Sequence, residues 1–127
     1  MNSTNDPIEW VNRAEEDYQL ARLSLQRKLP LTYGATFHAQ QCAEKYIKAL
    51  LILRLIAFPR THDLAALYTL CQQNGIILSI SEDNLEKLSA FAVEVRYPGA
   101  QPTIDEAKEA LEIAKSVRRF ARKSLGL

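Results

Sequence analysis

The chain has 127 residues, 47% of them apolar, which suffices for one domain core and leaves no room for a second of comparable size. That apolar share excludes a disordered polymer, and four Gly with five Pro are few for a loop-rich all-β chain, so the composition points to helices. Sixteen Lys and Arg against fifteen Asp and Glu leave a net charge of +1, so any nucleic-acid or membrane binding must rest on local clusters.

Asp6-Pro7-Ile8-Glu9 is a helix start: Asp6 can cap free amides, Pro7 suits the first turn and Glu9 completes a capping box. Trp10, Ala14, Asp17/Tyr18, Ala21 and Leu25 then recur at steps of three and four, the spacing of a helix facing a core, to about Lys28. A second helix is predicted from Thr32 to Ala57. At about 100° per residue, Ala35, Ala39, Cys42, Ala43, Tyr46, Ala49, Leu50 and Leu53 share one broad side. The opposite side carries Phe37, Gln40, Gln41, Glu44, Lys45 and Lys48, then turns apolar at Leu51, Ile52 and Leu55. One small bundle does not cover every face of such a segment, so these three predict a homodimer interface.

Phe58-Pro59-Arg60 breaks the second helix, and Thr61 is the expected cap of a short third one from His62 to Gln73, closed by Asn74-Gly75. Ile76 to Ile80 has no other strand to pair with and is expected to be a connector. Ser79-Ile80-Ser81-Glu82 offers a capping box for a fourth helix through Leu85, Leu88, Phe91, Ala92 and Val95, which Tyr97-Pro98-Gly99 stops. Thr103 and Glu106 form the capping box of the last helix, whose acids come first and whose bases (Lys115, Arg118, Arg119, Arg122, Lys123) come last. Dipole complement and solubility account for that basic end as readily as an RNA backbone would. The expected fold is all-α, an up-and-down bundle of four long helices plus a short fifth, as a single domain over residues 6–124.

Cys42 and Cys71 form no CxxC pair and lie in apolar stretches, as reduced buried thiols do. The residues from Met1 to Pro7 have neither the basic start nor the apolar run of a signal peptide. The greasiest stretch, Ala49 to Ala57, is too short to cross a bilayer and contains Arg54. A cytoplasmic protein without membrane association is expected.

Three polar clusters are candidates for chemistry. In Gln40-Gln41-x-x-Glu44-Lys45-x-x-Lys48, Glu44 and Lys48 can form a plain helical pair worth roughly 0.3–0.5 kcal/mol. In Phe58-Pro59-Arg60-Thr61-His62-Asp63-Leu64, the polar residues serve as caps, or Arg60 and His62 make an anion-reading corner at a helix N-terminus. In Val95-Arg96-Tyr97-Pro98-Gly99, Arg96 can bridge orphan carbonyls or grip a phosphate. His38 is the only other histidine, and a lone helical His is usually packing. Two Cys and two His at these separations match no zinc spacing, and no glycine loop or nucleophile arrangement is present, so neither metal nor cofactor is expected.

The ordered set resembles the HEPN family, the prokaryotic and eukaryotic nucleotide-binding helical domain. It comprises Trp10 with Ala14 and Asp17, the run Phe37-His38-Ala39-Gln40-Gln41-Cys42-Ala43-Glu44-Lys45-Tyr46-Ile47-Lys48-Ala49, then Arg60-Thr61-His62-Asp63-Leu64, Arg96-Tyr97-Pro98 and the closing helix. The resemblance runs from about residue 8 to residue 120. It implies a helical bundle, commonly a homodimer, often made with a minimal nucleotidyltransferase as a toxin–antitoxin-like pair. Ribonuclease members carry an Arg, four to six residues, then a His near the end of the fourth helix. Here Gln101, Pro102 and Thr103 stand where that His would follow Arg96, and no histidine occurs after His62.

The resemblance therefore implies a noncatalytic nucleotide- or RNA-binding partner of a nucleotidyltransferase, with Gln40, Gln41, Glu44, Lys48, Arg60, His62, Arg96 and Tyr97 as site residues. The competing readings are a metal-independent ribonuclease with Arg96 on the phosphate and His62 or His38 as base, and a purely structural dimeric interaction module. An anion site would gather Arg96 with Gln40, Gln41, Glu44 and Lys48. The plainer alternative is an internal pair between Arg96 and Glu44.

Overall fold

A computed structural model describes residues 5–93 and 99–127. Its helices are α1 (Pro7–Gln26), α2 (Thr32–Leu53), α3 (Leu64–Gln73), α4 (Glu82–Val93) and α5 (Ile104–Ser124), and no strand occurs among the described residues. The all-α bundle predicted from sequence is thus observed. Arg96 and Tyr97, and the Tyr97-Pro98 part of the stop signal, lie outside the described residues.

The central element is α2, which packs most extensively on α1, next on α5, and also against α3 and α4. Alanines at the crossings (Ala14, Ala21, Ala39, Ala43, Ala49, Ala110, Ala114, Ala121) are solvent-free and let the backbones approach, while Tyr46, Ile47, Leu51, Leu64, Leu67, Leu85 and Leu88 fill the remaining volume. Ile76, Leu78 and Ile80 seal one side as the expected connector.

The caps agree with the predicted starts in kind, with some shifts in position. Asp6 caps α1 through the Ile8 amide, and Thr103 and Glu106 form the full capping box of α5. At α4 the capping hydroxyl is Ser81, which accepts from the Asn84 amide, so Ser79 is not the cap. At α3 the cap is Asp63, which accepts from the Ala65 amide, while Thr61 accepts from the Asp63 amide one step earlier. His62 therefore precedes α3 and lies outside its first turn, because Asp63 is the better placed acceptor.

The end of α2 also differs from expectation. The helix stops at Leu53, four residues short of Ala57, in a Schellman turn: the Leu55 amide donates to the Ile52 carbonyl and the Ile56 amide to the Leu51 carbonyl. Leu55 holds the left-handed position at φ 59°, where the same turn after α3 and α5 uses Gly75 and Gly126, both at φ 77°. The apolar patch predicted at Leu51, Ile52 and Leu55 is accordingly split. Leu51 is wholly buried within the chain, Ile52 is half-buried, and Leu55 is 93% exposed.

Candidate functional site

The polar side of α2 is not a solvated face. Gln40, Glu44 and Lys48, spaced four apart, are all buried under α1 and the segment that leads from α2 to α3. Burial of a charge is costly unless it is paired and hydrogen-bonded, and here the pairing is complete. Lys48 Nζ donates to Glu44 Oε2 at 3.0 Å, and Gln40 Nε2 donates to the His62 carbonyl at 3.1 Å and to Glu44 Oε1 at 3.4 Å. Gln41 closes the chain by donating to Gln40 Oε1 at 2.9 Å. Among the described residues the only buried side-chain polar atom without a partner is the Ser89 hydroxyl, far in sequence from this cluster.

His62 completes the cluster from the loop. Its Nδ1 lies 3.0 Å from Glu44 Oε1 and 3.1 Å from Oε2. A carboxylate only accepts, so Nδ1 carries a proton and donates to both oxygens, and Nε2 stands on the ring edge away from Glu44. The His62 side chain is 81% exposed while Glu44 is 3% exposed, so a buried carboxylate orients a solvent-facing imidazole.

Lys48 and His62 of this network line a cleft of about 480 Å³, together with Asn5, Trp10, Ile52, Ala57, Phe58, Arg60 and Thr61. Trp10 and Phe58 meet edge to face, with centroids 6.1 Å apart and planes at 75°. Lys48 Nζ lies 5.5 Å from each ring centroid, so the ammonium is held by two aromatic faces as well as by Glu44. The aromatic end can take a planar ring, and the mouth presents the exposed Arg60 with His62 Nε2. With Glu44 neutralised by Lys48, Arg60 leaves the mouth positive. The size and the mixture of apolar wall and few convergent polar groups are those of a small-molecule site.

Of the residues predicted from sequence, the structure brings Gln40, Gln41, Glu44, Lys48 and His62 into one network, and Arg60 beside it on the cleft. The Glu44 partners among the described residues are Lys48, His62 and Gln40; the predicted pairing with Arg96 lies outside them. His38 is not mere packing: its Nδ1 is 2.8 Å from Asp17 Oδ1, and Lys45 Nζ holds Asp17 Oδ2 at 2.6 Å. Sequence reasoning missed Trp10 and Phe58 as cleft walls, having placed one on a core face and the other in a helix break. It also missed Asp17 as the partner of His38, although a carboxylate on a core-facing position was the available signal.

The basic end of α5 is partly committed to the fold. Arg118 grips Glu15 with two hydrogen bonds of 2.7 Å and stacks 4.5 Å over the Tyr18 ring, and Arg122 reaches Glu15 and the Tyr46 hydroxyl. Hydrogen bonding to Arg118 holds the Glu15 carboxyl below its ordinary range, and burial pushes the Tyr46 phenol up to about 12.

Comparisons with known proteins agree with this fold. "Putative toxin MJ1304" of Methanocaldococcus jannaschii is 29% identical, over 93% of this chain and 90% of its own. The crystal structure of ST0689, an archaeal HEPN homologue, superposes with a TM-score of 0.69 at 23% identity, covering 94% of this chain and 98% of that one, and shows the shared fold. The HEPN domain profile matches residues 8–124, nearly the whole of the bundle, and the chain belongs to the HEPN family.

Proposed function

We propose that this HEPN protein is a noncatalytic nucleotide- or RNA-binding member of a toxin–antitoxin-like module. The observation that carries the reading is the cleft: an aromatic end at Trp10 and Phe58, and a mouth made cationic by Arg60 beside His62, tied together through Lys48 and Glu44. A nucleobase stacks on aromatic faces without regard to its identity, and a phosphate is held by a guanidinium. The likeness to "Putative toxin MJ1304" supports the toxin–antitoxin setting. A homodimer and a minimal nucleotidyltransferase are the expected protein partners.

Trp10 is the only tryptophan, so its fluorescence reports on this cleft alone. Titration with AMP should quench it saturably, and Phe58→Ala or Arg60→Ala should weaken binding at least tenfold. Emission unmoved by millimolar AMP would remove the cleft from consideration. Light scattering at tens of micromolar should give twice the 14.4 kDa chain mass, and a monomer would count against the dimer.

One observation favours the ribonuclease reading as a second. His62 has the carboxylate-oriented Nδ1 and open Nε2 of a general base, and Arg60 stands two residues away on the same cleft. Of Gln101, Pro102 and Thr103, which stand where the family histidine would fall, Thr103 is taken up by the α5 cap, and none of the three is a proton acceptor of histidine's kind. Incubation with mixed RNA in the absence of metal discriminates between the readings. The noncatalytic one expects no cleavage, and cleavage lost in both His62→Ala and Arg60→Ala would establish the other.

A further inference from the structure

We propose that the C-terminal half of α5 forms a second, separate binding surface, for the phosphate backbone of a single-stranded nucleic acid. Lys115, Arg119 and Lys123 are exposed, stand at i, i+4 and i+8, and make no ion pair or hydrogen bond among the described residues. They line a shallow groove of about 410 Å³ together with Arg118, Arg122 and Leu127. Helix geometry sets the three free cations about 6 Å apart along one stripe. The stripe is about 12 Å long, and Arg118 and Arg122 bring the cations lining the groove to five, so three to five phosphates of a single strand can be engaged.

Two observations argue against a merely structural role for these charges. The helix dipole acts only within the last turn, which here holds Arg122 and Lys123 and leaves Lys115 and Arg119 out of its range. The charge is also concentrated: the five bases with Glu15 leave four positive charges at this end of a chain whose total is +1, so the remainder carries −3. Glu15 holds the guanidinium of Arg118 rigid behind the free stripe.

The same observations choose among polyanions. An anionic membrane surface is taken by a basic helix whose other face is apolar and free, but the apolar face of α5 (Ala107, Ala110, Ile113, Ala114, Val117, Ala121) is spent on the core. An acidic protein segment would need a buried apolar anchor for affinity, and the groove offers only Leu127. A phosphate backbone needs charge alone.

The test is fluorescence anisotropy of a labelled, short single-stranded RNA of mixed sequence, with the full chain and with Lys115→Gln/Arg119→Gln/Lys123→Gln. At about −0.7 log units per phosphate released, engaging three to five phosphates predicts an affinity loss of about 20- to 100-fold between about 50 and 200 mM salt. The triple variant should bind at least tenfold more weakly at low salt, with a salt loss of about sevenfold or less. It should still show AMP quenching of Trp10, which certifies its fold and keeps this surface distinct from the cleft. Arg119→Glu alone should lower affinity tenfold. No binding at low salt, an unchanged salt slope in the triple variant, or displacement of the RNA by AMP would overturn the proposal. Equal displacement by poly-glutamate of matched charge would also overturn it, assigning the groove to an acidic protein.

Discussion

Replacing Lys48 with methionine probes the buried cluster most directly. In the folded chain Lys48 and Glu44 side chains are 7% and 3% exposed, so their pair is not the solvated i,i+4 contact that sequence spacing suggests. Removing one partner of a buried pair leaves the other charge uncompensated and costs about 3–5 kcal/mol. Methionine returns part of that, because it keeps an apolar, polarisable chain beside the Trp10 and Phe58 rings, where sulfur–aromatic contacts are worth about 0.3–1.5 kcal/mol. The net loss is about 3 kcal/mol. Unfolding entropy for a chain of this length is about 0.27 kcal/mol/K, so the melting temperature should fall by roughly 10 °C. Thermal melts followed by circular dichroism at low and moderate salt measure this, and the deficit should be insensitive to salt because the pair is desolvated. Adding Glu44→Gln to Lys48→Met removes both charges and should return stability to within about 1 kcal/mol of the parent. A fall below about 2 °C for Lys48→Met, corresponding to about 0.5 kcal/mol, would show that the pair behaves as a solvated one and refute the reasoning.

Three further outcomes are expected. Leu55→Gly relieves a left-handed leucine in a turn where α3 and α5 use glycine, and should raise stability by about 1 kcal/mol in denaturant melts; a neutral or destabilising effect would mean that the exposed side chain makes contacts worth as much. Because the Glu15 carboxyl is held below its ordinary 4.5, it contributes stability above that pH that is lost as pH falls through the folded value. Arg118→Ala should therefore show a shallower loss of stability below about pH 4.5 than the parent in denaturant melts. Burial pushes the Cys71 thiol up to about 11 and raises that of Cys42 as well, so neither should react with a thiol reagent near neutral pH until denaturant exposes both.

Much of the fold was legible because its signals are local. The periodicity of Ala14, Tyr18 and Ala21, and the Thr103–Glu106 box, act within a few residues of where they are read. The shifts came where two local signals compete: Ser79 against Ser81, Thr61 against Asp63, and continued apolar periodicity against a Schellman turn that Leu55 closes without glycine. The polar stripe on α2 was legible as a cluster but not as an interior. A helical wheel sorts residues by direction, and what lies in that direction is decided by the loop from Ala57 to Asp63, which no period predicts. Trp10 was assigned to the core for the same reason: its step of four to Ala14 is right, but its ring reaches past the core to the cleft.

A core that followed packing alone would put leucine at 40, 44 and 48, since Gln, Glu and Lys there satisfy one another at best to near neutrality. Polar residues that break the apolar pattern and are then completely paired are explained if the arrangement does something that leucine cannot. Here it orients His62 from beneath and holds a cation between two rings. The Glu44→Gln/Lys48→Met double variant separates the two accounts, because it should melt near the parent temperature while AMP quenching of Trp10 weakens at least tenfold. If the stable double variant bound AMP as the parent does, the cluster would be a packing solution only, and the binding energy of the cleft would have to come from Arg60 and the aromatic walls.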